Sequence, residues 1–334
     1  MDNDENSSIQ VILIGEWKEH TKNGFTQLFS QLLSYSSKEI LAGIYIAPQE
    51  YVLTIVNKII EMSDVAGEYR PPEGRIPRGM MIPIEKNKNL LCFIILNSDL
   101  LELIKDDGLY HPKELVSTFL EELLHVHLLE LRWRKLKSIF DDSTCQSDLF
   151  RICSNFHDEF ATSFLKSKIL GFQRLIDYDG ELTTGLFAYG ESIASDLNKA
   201  QSNLADLVIG AVDHDISIQE AFNGAIVQIY RNIFEPLSRD AGFRFANPDI
   251  PHPNSDADSN WFYREHIKPF WLQIEIILQD SMKNDFNKYD TVIYELGSVI
   301  DGFLKYIGVF ISENSDDGCR VDFNTGFFDS IAGR

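Results

Sequence analysis

The pattern of apolar and polar residues changes character near residue 112 of this 334-residue chain. Before that point, four short apolar runs bounded by polar residues predict β-strands, at residues 11–15, 43–47, 80–84 and 90–96. Apolar residues with helical spacing predict one helix between the first two strands and another over 51–62. The polar segment 85–89 is predicted to join the last two strands as a hairpin, after a proline- and glycine-rich loop at 68–79.

From residue 112 onward the spacing of apolar residues is almost entirely helical. Six helices are predicted, at about 112–139, 147–170, 186–208, 217–235, 261–285 and 289–312. Asp148 and Ser217 are candidate N-cap residues. The C-terminal segment is polar apart from three aromatic residues that are predicted to dock it, Phe323, Phe327 and Phe328.

The predicted fold class is therefore α+β, with a small N-terminal mixed sheet followed by a mainly helical C-terminal region. Residues 1–112 form the mixed α/β region that contains the sheet. Residues 113–175 are predicted to form a helical core that completes the first domain, and residues 176–334 form the helical C-terminal region.

The helix predicted to begin near residue 112 is apolar around most of its circumference, so it is predicted to be mostly buried. Glu121 and His125 are four residues apart and therefore lie one turn apart on the same face, with Glu122 on the adjoining edge. Burying two carboxylates and an imidazole costs free energy unless they are paired or bind a metal. These three residues are the best candidates for chemistry in the sequence.

The segment 119–127 resembles the active-site helix of zincin metallopeptidases, whose pattern is His-Glu-x-x-His. In that pattern the residues at i and i+4 ligate zinc, and the glutamate at i+1 polarises the attacking water. The resemblance implies that Glu122 is the general base and His125 a metal ligand, while Glu121 occupies the position of the first histidine. The strand predicted over 90–96 stands where zincins have the strand that lines the substrate cleft.

A later helix resembles the one that carries the third metal ligand in the gluzincin branch, which includes the ImmA/IrrE-type peptidases. There the ligand is a glutamate in a pattern like Glu-x-x-Ala-x-x-Phe-Ala, and the segment 155–165 is similar. The resemblance implies Glu159 as the third ligand, although the spacing to Ala161 and Phe164 aligns Asp158 instead, and both stay open. It covers about residues 80–170 and implies a divergent metal-dependent peptidase or hydrolase of zincin type.

Glutamate at position 121 changes the implied donor set from two histidines and a glutamate to one histidine and two glutamates. Carboxylate-rich sites suit manganese or iron(II) better than zinc, so the predicted cofactor is a divalent metal, either zinc or manganese or iron. His127 is a poor second nitrogen donor, because a residue two positions from His125 points to a different face of the helix. His157 would suit only if its helix began after it.

Other interpretations of the same helix stay open. Five residues fall along one line and would fit a solvated strip: Glu114, Thr118, Glu121, His125 and Arg132. Glu121 and His125 would then be an i,i+4 pair worth roughly 0.2–0.5 kcal/mol. Glu122 and His125 also form half of the motif of di-iron or di-manganese carboxylate bundles, but the sequence contains no second Glu-x-x-His. A zincin-like fold kept without metal or activity fits the sequence as well.

Charge narrows the range of partners. The formal net charge of −21 disfavours nucleic acids and anionic membranes, because proteins that bind these need a basic surface. A peptide or protein substrate fits the enzyme hypothesis. In the alternative hypothesis, the chain is a non-catalytic, zincin-like interaction protein that binds a partner through its acidic surface.

Cysteine usage and the N-terminal sequence bear on location. The 4 cysteines form no Cys-x-x-Cys pair, which favours free thiols in a reducing compartment. The first eight residues are acidic and polar, unlike a signal peptide, and no apolar run approaches the ~20 residues that span a bilayer. The sequence therefore predicts a cytoplasmic protein without membrane contact, and leaves its oligomeric state open.

Overall fold

The structure, a computed structural model, describes residues 9–33, 39–64, 76–99, 104–105, 108–109, 112–140, 145–170, 188–249, 256–283, 288–314 and 318–331. The chain divides into two compact units, residues 1–134 and 135–334. The predicted α+β class is confirmed, because a small mixed sheet is followed by a mainly helical region. The three-part division at residues 112 and 175 stays a prediction.

The first unit contains the sheet and the helices that cover it. Its elements are β1 (Gln10–Leu13), α1 (Glu19–Leu32), β2 (Leu41–Ala47), α2 (Gln49–Glu61), β3 (Gly79–Lys86), β4 (Asn89–Asn97), β5 (Ile104–Lys105) and β6 (Gly108–Leu109). Helix α3 (Pro112–Phe140) begins in this unit. The four predicted strands and the helices between them are therefore present, and α3 matches its predicted range to within one residue.

The four long strands form one mixed sheet with the order β1-β2-β4-β3. β2 pairs in parallel with β1 and β4, whereas β3 pairs antiparallel with β4. The predicted hairpin between β3 and β4 turns at Asn87 and Lys88, whose φ angles of 52° and 64° lie in the left-handed region used by tight hairpin turns.

This order changes the role expected of the last strand. β4 is paired on both sides, and among the described strands β3 lies at the edge of the sheet. A strand can receive an added chain only along an unpaired edge. The strand that could line a cleft in this way is therefore β3, and not the strand predicted over 90–96.

Helices bury both faces of the sheet. On one face, strand residues such as Ile44, Ile94 and Leu96 pack with Phe29 of α1 and Phe119 of α3. On the other face, α2 packs its own apolar side against residues of β3 and β4, among them Val52, Ile59, Met80, Ile82 and Ile95. Because β4 is buried from both sides, it reads in the sequence as a continuous apolar run.

The second unit is built on a single apolar core. Its elements are α4 (Cys145–Leu170), α5 (Ala188–Val212), α6 (Ile218–Gln228), a π-helical segment (Ile229–Phe234), α7 (Glu235–Ala246), a 3₁₀ turn (Asp256–Ser259), a second π-helical segment (Tyr263–Ile267), α8 (Lys268–Lys283), α9 (Tyr289–Tyr306), β7 (Val309–Asn314), β8 (Gly318–Phe323) and α10 (Gly326–Ile331). The helical C-terminal region is confirmed, with different ends for several helices.

The observed helix ends confirm one of the two predicted N-caps and correct one predicted helix end. Ser217 is the N-cap of α6, as predicted, and its side chain accepts a hydrogen bond from the Glu220 N–H at 3.1 Å. Asp148 lies inside α4, so its assignment as an N-cap was wrong. The helix predicted to end at residue 235 continues through the first π-helical segment into α7.

The end of α9 was also predicted wrongly. This helix ends at Tyr306 because Gly308 adopts a φ of 92°, and residues 309–314 then form β7 rather than a last helical turn. β7 pairs antiparallel with β8. The predicted docking of the C-terminal aromatic residues is confirmed, since Phe328 is buried and the Phe327 ring lies 5.2 Å from that of Tyr306.

Helices α4 and α7 approach each other unusually closely. A β-carbon added to Gly242 of α7 would lie 2.3 Å from the backbone oxygen of Phe160 in α4. Ser163 of α4 donates its hydroxyl hydrogen to the backbone oxygen of Arg239 at 2.7 Å. Glycine at position 242 therefore allows the two backbones to meet, and the Ser163 bond fixes how they meet.

None of the helices in the described part of the chain is long and apolar enough to cross a membrane.

Candidate metal centre

Helix α3 holds its polar residues in a half-buried strip. Thr118, Glu121, His125 and Arg132 are each partly covered, and none of these four is exposed. A strip in contact with solvent therefore stays an open interpretation for them, while the Glu114 side chain lies outside the described residues. Because leucine and phenylalanine on the same helix are fully buried in the core of the first unit, the strip sits at the margin of an apolar layer.

Glu122, the predicted general base, lies against the start of β3. A β-carbon on Gly79 would lie 3.2 Å from Glu122 Cγ, 3.2 Å from Glu122 Oε1 and 2.5 Å from Thr118 Cγ2. The absence of a side chain at Gly79 is what allows α3 to place the Glu122 carboxylate against the edge strand.

Helix α4 carries three adjacent polar residues that are almost completely buried. His157 is fully buried, Asp158 is 3% exposed and Glu159 is 8% exposed. His157 lies inside α4, which removes the condition under which it could have been a ligand. Its Nε2 lies 3.1 Å from Ser281 Oγ, and this hydroxyl donates to the Leu278 backbone oxygen at 2.6 Å. Because the Ser281 hydroxyl already donates its one hydrogen to Leu278, His157 Nε2 is the donor in the bond to Ser281 Oγ.

The three residues that the resemblance implies as metal ligands lie in different units of the chain, Glu121 and His125 on α3 and Glu159 on α4. Glu121 and His125 are one helical turn apart and half-buried, whereas Glu159 is almost completely buried. Asp158, the alternative third ligand, has its Oδ1 at 3.9 Å from His157 Nδ1. That these residues act as ligands stays a prediction.

The donor set fits a divalent cation. Two carboxylates and a neutral imidazole supply two negative charges, one nitrogen and at least two oxygens, which is suited to manganese or iron(II) and acceptable to zinc. Glu159 nevertheless has a protein cation beside it, since Arg239 Nε donates to Glu159 Oε2 at 2.6 Å. The burial of Glu159 therefore does not by itself require a metal.

Three residues around Glu159 were missed from the sequence. Arg239 bonds Glu159 and also, through Nη2, Glu235 Oε1 at 3.0 Å. Glu235 and Arg239 are an i,i+4 pair on α7, a signal that any surface helix could give. Tyr230 has a pKa raised first by burial and then by the negative charges of Glu235 and Glu159, so its phenol stays protonated and can donate a hydrogen bond. Nothing in the local sequence indicates that Tyr230 lies in a π-helical segment.

Among the described residues, His127 and the two buried cysteines indicate no further functional site. Burial lowers the pKa of His127, although the Glu130 carboxylate opposes this, so the imidazole favours its neutral form. Cys92 and Cys153 are buried free thiols, and burial raises the pKa of both, which keeps them unreactive. The side chains of Cys145 and Cys319 lie outside the described residues.

No protein-family model, no curated protein and no solved structure matches the chain. The similarity to zincins therefore rests on the motif residues themselves.

Proposed function

We propose that the protein is a divergent metal-dependent hydrolase of zincin type that cleaves peptides or proteins. The observation that carries the proposal is the pattern of Glu121, Glu122 and His125 on the half-buried side of α3. Glu159, the third implied ligand, is almost completely buried on α4. A bound divalent metal would polarise a substrate carbonyl and lower the pKa of a bound water.

Glu122 would act as the general base. It follows Glu121 on α3 and is half-buried, and its carboxylate lies beside the backbone of Gly79. In this role Glu122 accepts the proton of the attacking water and passes it to the leaving amine. Tyr230, which keeps its proton, lies near enough to Glu159 for the charge of that carboxylate to help raise its pKa.

The edge of β3 supports an extended polypeptide as substrate. An extended chain can add to an edge strand through main-chain hydrogen bonds, and β3 begins beside Glu122. Pro83 stands within β3, where the lack of an N–H is tolerated because an edge strand need not donate on its outer side. A cytoplasmic location remains part of this proposal and rests on the sequence alone.

Metal analysis of the purified protein tests the proposal. We expect about one equivalent of a divalent metal by plasma mass spectrometry, and a lower melting temperature after chelation. Glu159→Gln is expected to lose most of the metal. Glu220→Gln, which changes an exposed carboxylate on α6, is the matched control and should keep it. Absence of stoichiometric metal, together with a melting temperature that chelation leaves unchanged, would rule out the enzyme hypothesis.

A second experiment tests the base. Glu122→Gln should retain the metal but lose at least ~10²-fold in the hydrolysis of labelled casein, since it cannot accept a proton. Retained metal with hydrolysis equal to that of the parent would refute the assignment of Glu122.

One observation favours the alternative, a non-catalytic interaction protein. Arg239 already neutralises Glu159 through a 2.6 Å ion pair, so the buried carboxylate is satisfied without a metal. With a net charge of −21, such a protein would bind a basic partner through its surface. The metal analysis separates the two functions, because only the hydrolase requires stoichiometric metal.

A further inference from the structure

A small cavity lies within the second unit, in a cleft between α8 and α9 that α4 closes at its base. It encloses about 180 Å³, and all the residues that line it are among the described ones. An engineered protein cavity of about 150 Å³ holds one benzene molecule. The cavity therefore has room for one small organic ligand.

The base of the cavity is polar and buried. His157 of α4 is fully buried, while Ser281 of α8 and Tyr289 of α9 are each 4% exposed. His157 Nε2 donates to Ser281 Oγ at 3.1 Å, and the Tyr289 ring meets the His157 ring edge to face, with centroids 4.9 Å apart. The Tyr289 hydroxyl lies 2.8 Å from Ser154 Oγ. These contacts hold the side chains in place before a ligand enters, so binding requires little further ordering of the protein.

The walls of the cavity include two aliphatic side chains that face each other across the cleft. They belong to Ile277 of α8 and Val292 of α9. Val292 is buried, and Ile277 is partly buried against the core of the unit. An aliphatic group placed between them would be removed from water on both sides, which is favourable. The walls therefore favour a ligand with a short aliphatic part.

The rim carries opposite charges at its two ends. Lys288 is the N-cap residue of α9, and Glu295 lies two turns further along the same face, roughly 11 Å away along the helix axis. Both are exposed, and neither forms an ion pair within the part of the chain that the structure describes. Asp280, also at the rim, already pairs with Lys283, whose Nζ donates to it at 2.7 Å. The rim is thus positive at the start of α9 and negative at Glu295.

We propose that the cavity binds a free α-amino acid with an aliphatic side chain of about the size of leucine. The side chain of the ligand lies between Ile277 and Val292. Its carboxylate faces Lys288 at the start of α9, where the helix dipole also favours a negative charge, and its ammonium group faces Glu295. The site is independent of the proposed function, because none of these residues is an implied metal ligand and all of them lie in the second unit.

Isothermal titration calorimetry of the full-length protein with L-leucine tests the site. We expect saturable binding by the parent protein. L-Leucinol lacks the carboxylate and 4-methylpentanoate lacks the ammonium group. Each is expected to bind at least ~10-fold more weakly than L-leucine, because each loses a hydrogen bond between charged groups.

Two substitutions at the rim test the assigned contacts. Lys288→Met should weaken L-leucine binding at least ~10-fold and remove the preference for L-leucine over L-leucinol. Glu295→Gln should weaken it similarly and remove the preference over 4-methylpentanoate. Both residues are exposed, so neither change should disturb folding. Lys305→Met is the matched control, since this exposed lysine of α9 pairs with Asp301 at 2.6 Å outside the cavity and should leave binding unchanged.

Each outcome supports or overturns the site. No saturable heat with L-leucine, even at millimolar concentrations, means that the cavity holds water only and overturns the proposal. Equal binding of L-leucine and L-leucinol overturns it as well, and so do equal losses for Lys288→Met and Lys305→Met, because net charge alone then explains the effect. A parent protein that binds L-leucine but holds no stoichiometric metal overturns the proposed function and leaves this site standing.

Discussion

Gly79 of β3 lies directly against Glu122 of α3, so that a β-carbon at this glycine would come within 3.2 Å of the glutamate Oε1. The contact joins the edge strand of the sheet to the residue proposed as general base. It also explains why a glycine starts this strand, since a side chain there would displace the helix, the carboxylate or both.

Gly79→Ala should destabilise the protein by about 1–3 kcal/mol, because its β-carbon would lie 2.5 Å from Thr118 Cγ2. Chemical unfolding with urea measures the effect. Thr118→Ser removes the clashing methyl group and should restore most of the loss in the double variant. Gly302→Ala is the control, since its nearest neighbour is Phe270 Cε1 at an ordinary 3.7 Å and alanine favours a helix by about 0.5–1 kcal/mol. A Gly79→Ala protein as stable as the parent would contradict this packing.

Gly242→Ala should cost more, at least ~2 kcal/mol. Here the added β-carbon would meet the Phe160 backbone oxygen at 2.3 Å, and a backbone atom cannot rotate away as a side chain can. Urea unfolding of this variant beside Gly302→Ala compares two helical glycines that differ in the space around them. Equal stability of the two variants would show that α4 and α7 do not meet closely at this point.

Local signals in the sequence were sufficient for most of the fold. The helix from 112 to 139, the hairpin turn at 85–89 and the Ser217 cap each depend on residues a few positions apart, and each is present. The edge position of β3 was also readable, because a proline within a strand argues against a central place in the sheet. Gly308 could likewise have ended α9 before residue 309, since glycine commonly follows the last turn of a helix.

The rest depends on contacts between distant residues. Arg239 lies 80 residues from Glu159, and no local sequence pattern near either residue predicts that they form an ion pair. The motif could select Glu121, His125 and Glu159 only through an assumed fold, and it left Glu159 and Asp158 in competition. Burial does not separate these two adjacent carboxylates, because both are almost completely buried on α4.

Ser217→Ala should destabilise the protein by about 1 kcal/mol through the loss of the N-cap of α6. The Ser217 hydroxyl accepts the Glu220 N–H, a donor that the helix itself cannot satisfy. Ser298→Ala is the matched control, because this exposed serine bonds back to the Tyr294 oxygen within α9 and alanine is the better helix former. Differential scanning calorimetry should therefore show a lower melting temperature for the first variant only. A lowered value for both variants would mean that the loss is not specific to the cap.

Cys92 should make the protein less stable at alkaline pH. Burial raises the pKa of its thiol from 9.0 to about 12, so above pH 9 the unfolded chain releases a proton that the folded protein keeps. The contribution of Cys92 is thus fully present below pH 9 and declines as the pH rises towards 12, by about 1.4 kcal/mol per pH unit for one proton. Cys153, whose pKa is raised by the same cause, cancels when the parent is compared with Cys92→Ala. Urea unfolding from pH 8 to 11 should therefore show the parent losing its advantage over this variant above pH 9. A difference between the two proteins that stays constant with pH would mean that the Cys92 thiol ionises in the folded state as readily as in the unfolded one.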